Sequence, residues 1–264
     1  MAAETSPFQT FTRLHSTILD LVVGGSRKPE EVSRVLQVVK EHPDDYLVRL
    51  GLVPEPIAVS RDLLPATSIP RAMPQLGVWK DVYESWFGVT DFPNPPDLFV
   101  PVHREGFDRL IVVKQTLATS VIIAGLTRQL GKRGEKVWVN PDLGDPDQFT
   151  AGKWITRPET EWYAVWVRDY VEADEELANV SFNQHRRVKR EILLASERLL
   201  LEAFHVETTG EHLDVSNWTL TASRGADGDV VGVYWYPGRR WLSVDWTGAG
   251  YRGAGLRARE VVSC

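Results

Sequence analysis

The residues best able to do chemistry gather in "EHLDVSNWTLTASR" (211–224), which holds His212, Asp214, Asn217, Thr219, Ser223 and Arg224. His205 lies just upstream, near the end of an apolar-periodic segment. Two imidazoles and a carboxylate, His205, His212 and Asp214, meeting where a helix gives way to a tight loop would suit zinc, nickel or non-haem iron. Without a metal, His212 is a general base oriented by Asp214. Plainer roles compete with both. An imidazole in a last helical turn pairs with helix carbonyls, "HLD" serves as the entry to a strand, and no HExxH spacing is present. Ser223 lacks the first glycine of a G-x-S-x-G elbow, and the Asp227-Gly228 hairpin signal assigns it to turn chemistry. The structural role is the stronger expectation, and His212 and Asp214 remain as the chemical candidates.

Three further groups compete with that pair. The acidic run 169–176 places Glu172 three or four residues from Glu175 and Glu176, a spacing that on a helix presents carboxylates to a divalent cation. Metal-dependent nucleases and phosphoesterases gather carboxylates in this way, although a solvated acidic helix start explains the run as well. "HRRVKR" (185–190) sets Arg186, Arg187, Lys189 and Arg190 together as a candidate nucleic-acid contact. Finally Trp235, Trp241 and Trp246 interleave with Arg239 and Arg240, a composition able to stack bases or sugars. Strand alternation sends Trp235 to the face opposite Tyr234 and Tyr236, so some of these rings must be core. The deciding feature is whether two or more of Trp235, Trp241 and Trp246 share an exposed face.

The elements that must position these groups follow from periodicity. Residues 7–41 read as two amphipathic helices joined by a turn, with Pro29, Glu30 and Glu31 suited to a first helical turn. "GGSR" inside that turn lacks the GKS or GKT of a phosphate loop. A helical hairpin is thus expected over 1–50, a proline-rich connector over 51–76 and an α+β domain over 77–264. Within that domain "FDRLIVVKQ", "EKVWVN" and "EWYAVWVRD" read as strands of a small mixed sheet around one helix. A long helix is expected at about 188–207, packed on a C-terminal antiparallel β-meander at about 217–263.

Composition narrows the function classes. A chain of 264 residues with 43% hydrophobic and 25% charged residues has the makings of a real core. The net charge of -6 gives no overall attraction to polyanions, so a nucleic-acid contact needs a local basic patch. The lone cysteine, Cys264, excludes an intramolecular disulfide and a cysteine-built zinc site. No apolar run spans a bilayer and no signal-peptide pattern opens the sequence, so a cytoplasmic, membrane-free protein is expected.

"WYAVWVRDYVEADEELAN" together with "LLLEAFHVETTGEHLDVSNWTLTASR" resembles an uncharacterised family of bacterial proteins known from metagenomes. The resemblance covers about the last hundred residues. It implies a shared fold and a bacterial cytoplasmic setting, and it carries over no activity, cofactor or catalytic residue.

The first functional expectation is therefore a tryptophan-rich intracellular binding or interaction protein, with the N-terminal hairpin as a docking element for a protein partner. The alternatives are a metal-dependent hydrolase or nuclease using His205, His212 and Asp214 or the acidic run 169–176, and a nucleic-acid-binding protein using residues 185–190 and the C-terminal Trp/Arg sheet. No particular cofactor is specified by any of these motifs.

Overall fold

The computed structural model describes residues 62–263, and the helical hairpin expected over 1–50 lies outside them. In chain order the elements are β1 (Leu63–Pro65), α1 (Met73–Val82), β2 (Phe99–Pro101), β3 (Arg109–Lys114), α2 (Thr119–Gly131), β4 (Lys136–Val139), β5 (Thr150–Ala151) and β6 (Trp162–Val167). Then follow α3 (Phe182–Arg187), α4 (Ala195–Thr209), β7 (Trp218–Arg224), β8 (Val230–Tyr236), β9 (Trp241–Thr247) and β10 (Leu256–Ala258). Helices and a mixed sheet of several strands make this an α+β fold.

The main sheet runs β10-β7-β8-β9-β4, with β5 also paired to β7. The β7–β8–β9 core is the antiparallel meander that the alternating segments predict. Two strands depart from expectation. β10 returns to pair parallel with β7, and β4 pairs parallel with β9 instead of building a separate small sheet with its sequence neighbours. β3 and β6 form their own antiparallel pair in register from Arg109↔Val167 to Lys114↔Trp162. The apolar patterns of β4 and β6 are alike, so nothing in either segment specified its partner.

β3 is apolar on both faces, with Leu110, Ile111, Val112 and Val113 all buried. Its outer edge would expose backbone groups, and α1 together with Tyr83, the first residue of the π-helical turn after it, satisfies them with side chains. Gln75 Oε1 accepts from Leu110 N (2.9 Å), and Trp79 Nε1 donates to Leu110 O (2.8 Å). The Tyr83 hydroxyl donates to Val112 O (2.9 Å) and accepts from Lys114 N (3.0 Å). α1 and Tyr83 thus close the pair as a third strand would. Residues 62–76, the described part of the expected connector, hold β1 and the start of α1, with Ala66, Ile69, Ala72 and Leu76 in the core.

α4 is the central helix, buried along nearly its whole length and in contact with α1, α2, β3, β7 and β8. It begins at Ala195, later than the expected 188. Lys189 adopts a positive φ of 51°, and Ile192 bridges Glu260, so the chain from Lys189 to Leu194 is not helical. At the start of α4, Leu194 N–H donates to Glu197 Oε2 (2.7 Å) and Ala195 N–H donates to Ser223 Oγ (2.9 Å). Ser223 is therefore a helix-terminus partner, which accounts for its buried hydroxyl. Gly210, with φ 77°, ends the helix in the left-handed conformation that glycine adopts without strain.

Candidate functional site

His205, His212 and Asp214 all lie close to α4, yet they are engaged separately. Asp214 is fully buried between two guanidiniums: Arg198 Nε donates to Oδ2 (2.8 Å) and Arg259 Nη2 to Oδ1 (2.7 Å), and the Thr219 hydroxyl also donates to Oδ2. Burial alone would raise its pKa. Arg259 and then Arg198 outweigh burial and hold the carboxyl below the ordinary range. Three donors of the protein itself thus engage both oxygens of Asp214, and two of them carry positive charge, so this carboxylate is committed to the fold.

His212 lies one layer further out. Its Nδ1 is 2.7 Å from Glu202 Oε1, and its Nε2 is 3.3 Å from Glu135 Oε2. Glu202 also binds Arg198 Nη1 (2.8 Å). Burial would raise Glu202, but Arg198 and His212 bring it below its usual value. His205 is nearly buried, its Nε2 has no hydrogen-bond partner, and burial, with Arg109, Arg198 and Arg259 nearby, lowers its pKa. Among the described residues no group of three or more His, Cys, Asp or Glu could hold a metal ion. The expected metal triad is corrected accordingly: Asp214 and His212 belong to a buried charge network that fastens α4 to the sheet, and the His205 ring stands outside it.

The acidic run is not a helix face. Its only helical piece is a single 3-10 turn at Glu175–Leu177. Asp169 pairs with Arg109 (2.7 Å), Glu172 accepts from Ser216 N (2.9 Å) and Asn217 Nδ2 (2.8 Å), and Asp174 accepts from Arg168 Nη1 (2.6 Å) and Glu260 N (2.8 Å). These carboxylates diverge into separate structural contacts instead of converging on a cation. In the basic cluster Arg186, Arg187 and Lys189 are exposed, whereas Arg190 is buried and bonded to Glu260 (3.1 Å). Arg190 is thus removed from any surface contact.

The tryptophans divide between the two faces of the main sheet. The register Trp235↔Leu242 and Val231↔Trp246 puts Trp235 and Trp246 on the face toward α4, and Tyr236↔Trp241 puts Trp241 on the other. Trp235 is only 8% exposed and stacks on His212, so it is corrected from ligand contact to core. Trp246, partly exposed, is on the wrong face to join Trp241.

The face bearing Trp241 has companions that the expected trio omitted. The parallel register Lys136↔Trp241 and Trp138↔Ser243 brings Lys136 and Trp138 of β4 onto it. Trp138 and Trp241 stack with centroids 6.2 Å apart at 19°, and Arg239 lies 4.9 Å over the Trp241 ring and 5.9 Å from that of Tyr236. Toward β7, Trp218 and Tyr234 stack at 4.3 Å and 5°. These rings are partly exposed, with Tyr236 at 45%.

A cationic rim borders them. Arg240 Nη2 donates to Arg133 O (3.0 Å) and Lys136 N donates to Arg240 O (3.1 Å), joining the α2–β4 and β8–β9 turns. Lys132, Arg133, Lys136, Arg239 and Arg240 are all exposed there, and the acid among them, Glu135, is buried and paired with Arg133, Arg240 and His212. Trp138 and Lys136 escaped sequence reasoning because β4 is 105 residues from β9 in the chain (Trp241 minus Lys136). A period-2 alternation of Lys136 and Trp138 was visible, but its sheet partner was not.

Comparison with protein-family models, curated proteins and solved structures returns no match. Among the described residues no helix is long and apolar enough to cross a membrane.

Proposed function

We propose that the protein is a binding protein that holds single-stranded nucleic acid on the open face of β8, β9 and β4. The observation that carries this reading is the set of Trp138, Trp241 and Tyr236 on one exposed face beside Arg239 and Lys136. Aromatic rings on a sheet stack bases of any sequence, and flanking cations track the phosphates. Sugar recognition would use the same rings but has no need of the cationic rim. The chain as a whole carries a net charge of -6, so affinity for a polyanion has to come from a local cationic patch such as this one.

Fluorescence anisotropy with labelled oligo(U) and oligo(dT) across a salt series tests the reading. Binding should weaken linearly with the logarithm of salt concentration. Trp138→Ala and Trp241→Ala should each weaken it by about 5- to 150-fold, the equivalent of ~1–3 kcal/mol per stacked base. Salt-independent binding, no binding, or affinity indifferent to both substitutions overturns it.

A further inference from the structure

A cavity of about 420 Å³ opens at the other end of α2, where β3 runs into the helix. Its size falls in the range of small-molecule sites, about 300–1,000 Å³. Leu117, Ile122, Ile155 and Leu194 give it apolar walls. The charged groups on its lining are already engaged. Arg157 spends all five N–H bonds on the protein: Nε on Glu197 Oε1, Nη1 on Thr156 O (2.9 Å) and Glu191 Oε2 (2.7 Å), and Nη2 on Ile192 O (3.2 Å) and Glu197 Oε2 (3.0 Å). Lys114 pairs with Asp91 and Glu161, and Asp147 accepts from Ser120 N (2.7 Å) and Ser120 Oγ (2.6 Å).

Apart from the exposed carboxylate of Asp147, what faces a ligand is neutral. Thr119 and Ser196 line the cavity with hydroxyls. Tyr163 also lines it, and its hydroxyl donates to Glu197 Oε1 (2.9 Å), leaving the phenol oxygen to act as an acceptor. Burial and the neighbouring Glu197 push the Tyr163 pKa well above the usual phenol value, so the ring stays uncharged.

We infer that this cavity binds a small neutral molecule with an apolar ring body and one hydroxyl or N–H donor. An anionic ligand would meet the carboxylate of Asp147 and find no free cation, because Lys114 and Arg157 are already paired, so its lost hydration goes uncompensated. The site stands apart from the aromatic sheet face and does not rest on the nucleic-acid reading.

The test is an NMR titration of the full chain with phenol and, separately, benzoate, two rings of similar size and different charge. Phenol should give saturable shifts confined to residues 117–122, 155 and 194–196, and benzoate at the same concentration should not. Ser196→Phe and Ile155→Trp, which fill the space from different sides, should each abolish the phenol shifts while signals remote from the cavity stay in place. Benzoate shifts as large as those of phenol, phenol without effect, or phenol binding that survives both filling variants overturns the inference.

Discussion

His212 lies flat against Trp235, with ring centroids 3.5 Å apart and planes within 2° of parallel. Trp235 N–H also donates to Asp214 O (3.1 Å), so the loop after α4 is fastened to β8 by backbone and ring together. Beneath this contact, Asp214, Arg198 and Arg259 form the buried centre of the network. The chemistry-rich stretch 211–224 therefore serves as the junction between the central helix and the sheet. Asn217 and Thr219 have the same character: one holds Glu172, and the other binds Asp214 and Arg259.

Asp214→Ala should destabilise the protein by about 3–5 kcal/mol, because two buried guanidiniums lose their shared carboxylate. Urea denaturation checks this through a lower midpoint at unchanged slope. EDTA added to the unmutated protein should leave the midpoint where it is. A fall on chelation would instead restore a metal role for this region.

The sequence revealed what local pattern controls. Alternation in 218–224, 230–236 and 241–247 gave the three meander strands, and the apolar stripe around Leu199, Leu200, Ala203 and Phe204 gave α4. Long-range pairing was illegible. β10 joining β7 in parallel, β4 joining β9, and Gln75 and Trp79 of α1 with the following Tyr83 sealing the edge of β3 all depend on contacts that no short window contains. The site readings erred for the same reason: reactive residue types were visible, but the arginines that neutralise them, Arg198 and Arg259, lay in other segments.

If the sheet face tracks phosphates, its cations should appear in the salt dependence. Lys136→Ala should reduce the slope of log affinity against log salt by about 0.7, the value expected for one phosphate contact on a single strand. Arg239→Ala should reduce the slope similarly and also weaken stacking, since Arg239 covers Trp241. Lys80→Ala, on the solvent side of α1, should change neither. Anisotropy titrations at several salt concentrations read all three.

His185 predicts an acid sensitivity with a definite sign. It is fully buried, both ring nitrogens lack hydrogen-bond partners, and burial, aided by Arg190, lowers its pKa to about 3. Between that value and the unfolded pKa of about 6.5, the unfolded chain binds a proton that the folded one refuses. Stability is therefore fully present above about pH 6.5 and falls as the pH drops toward 3. His185→Leu should flatten this part of the profile. Urea midpoints for both proteins at pH 7 and pH 5 measure it: the loss between the two values should be smaller in the variant.

Gly125 and Gly131 sit on the same helix, α2, and should respond to alanine with opposite signs. In a helix interior the change normally stabilises by up to about 1 kcal/mol. At Gly125, however, a Cβ would lie 2.6 Å from Trp86 O and 2.6 Å from Phe87 Cδ1. The carbonyl cannot easily retreat. It belongs to the π-helical turn Tyr83–Phe87, which ends at Gly88 with φ 69°, and Arg128 Nη2 donates to it. Gly125→Ala should therefore destabilise by about 1–3 kcal/mol, the usual cost of overpacking. At Gly131 nothing lies within 4 Å of the added carbon, and its φ is not positive. Gly131→Ala should stabilise by about 0.4–1 kcal/mol through the unfolded state. Thermal denaturation separates the two, with a change of about 2–4 °C expected per kcal/mol in a domain of this size. A rise in Tm for Gly125→Ala would mean that α2 and the π turn do not approach as closely as these distances require.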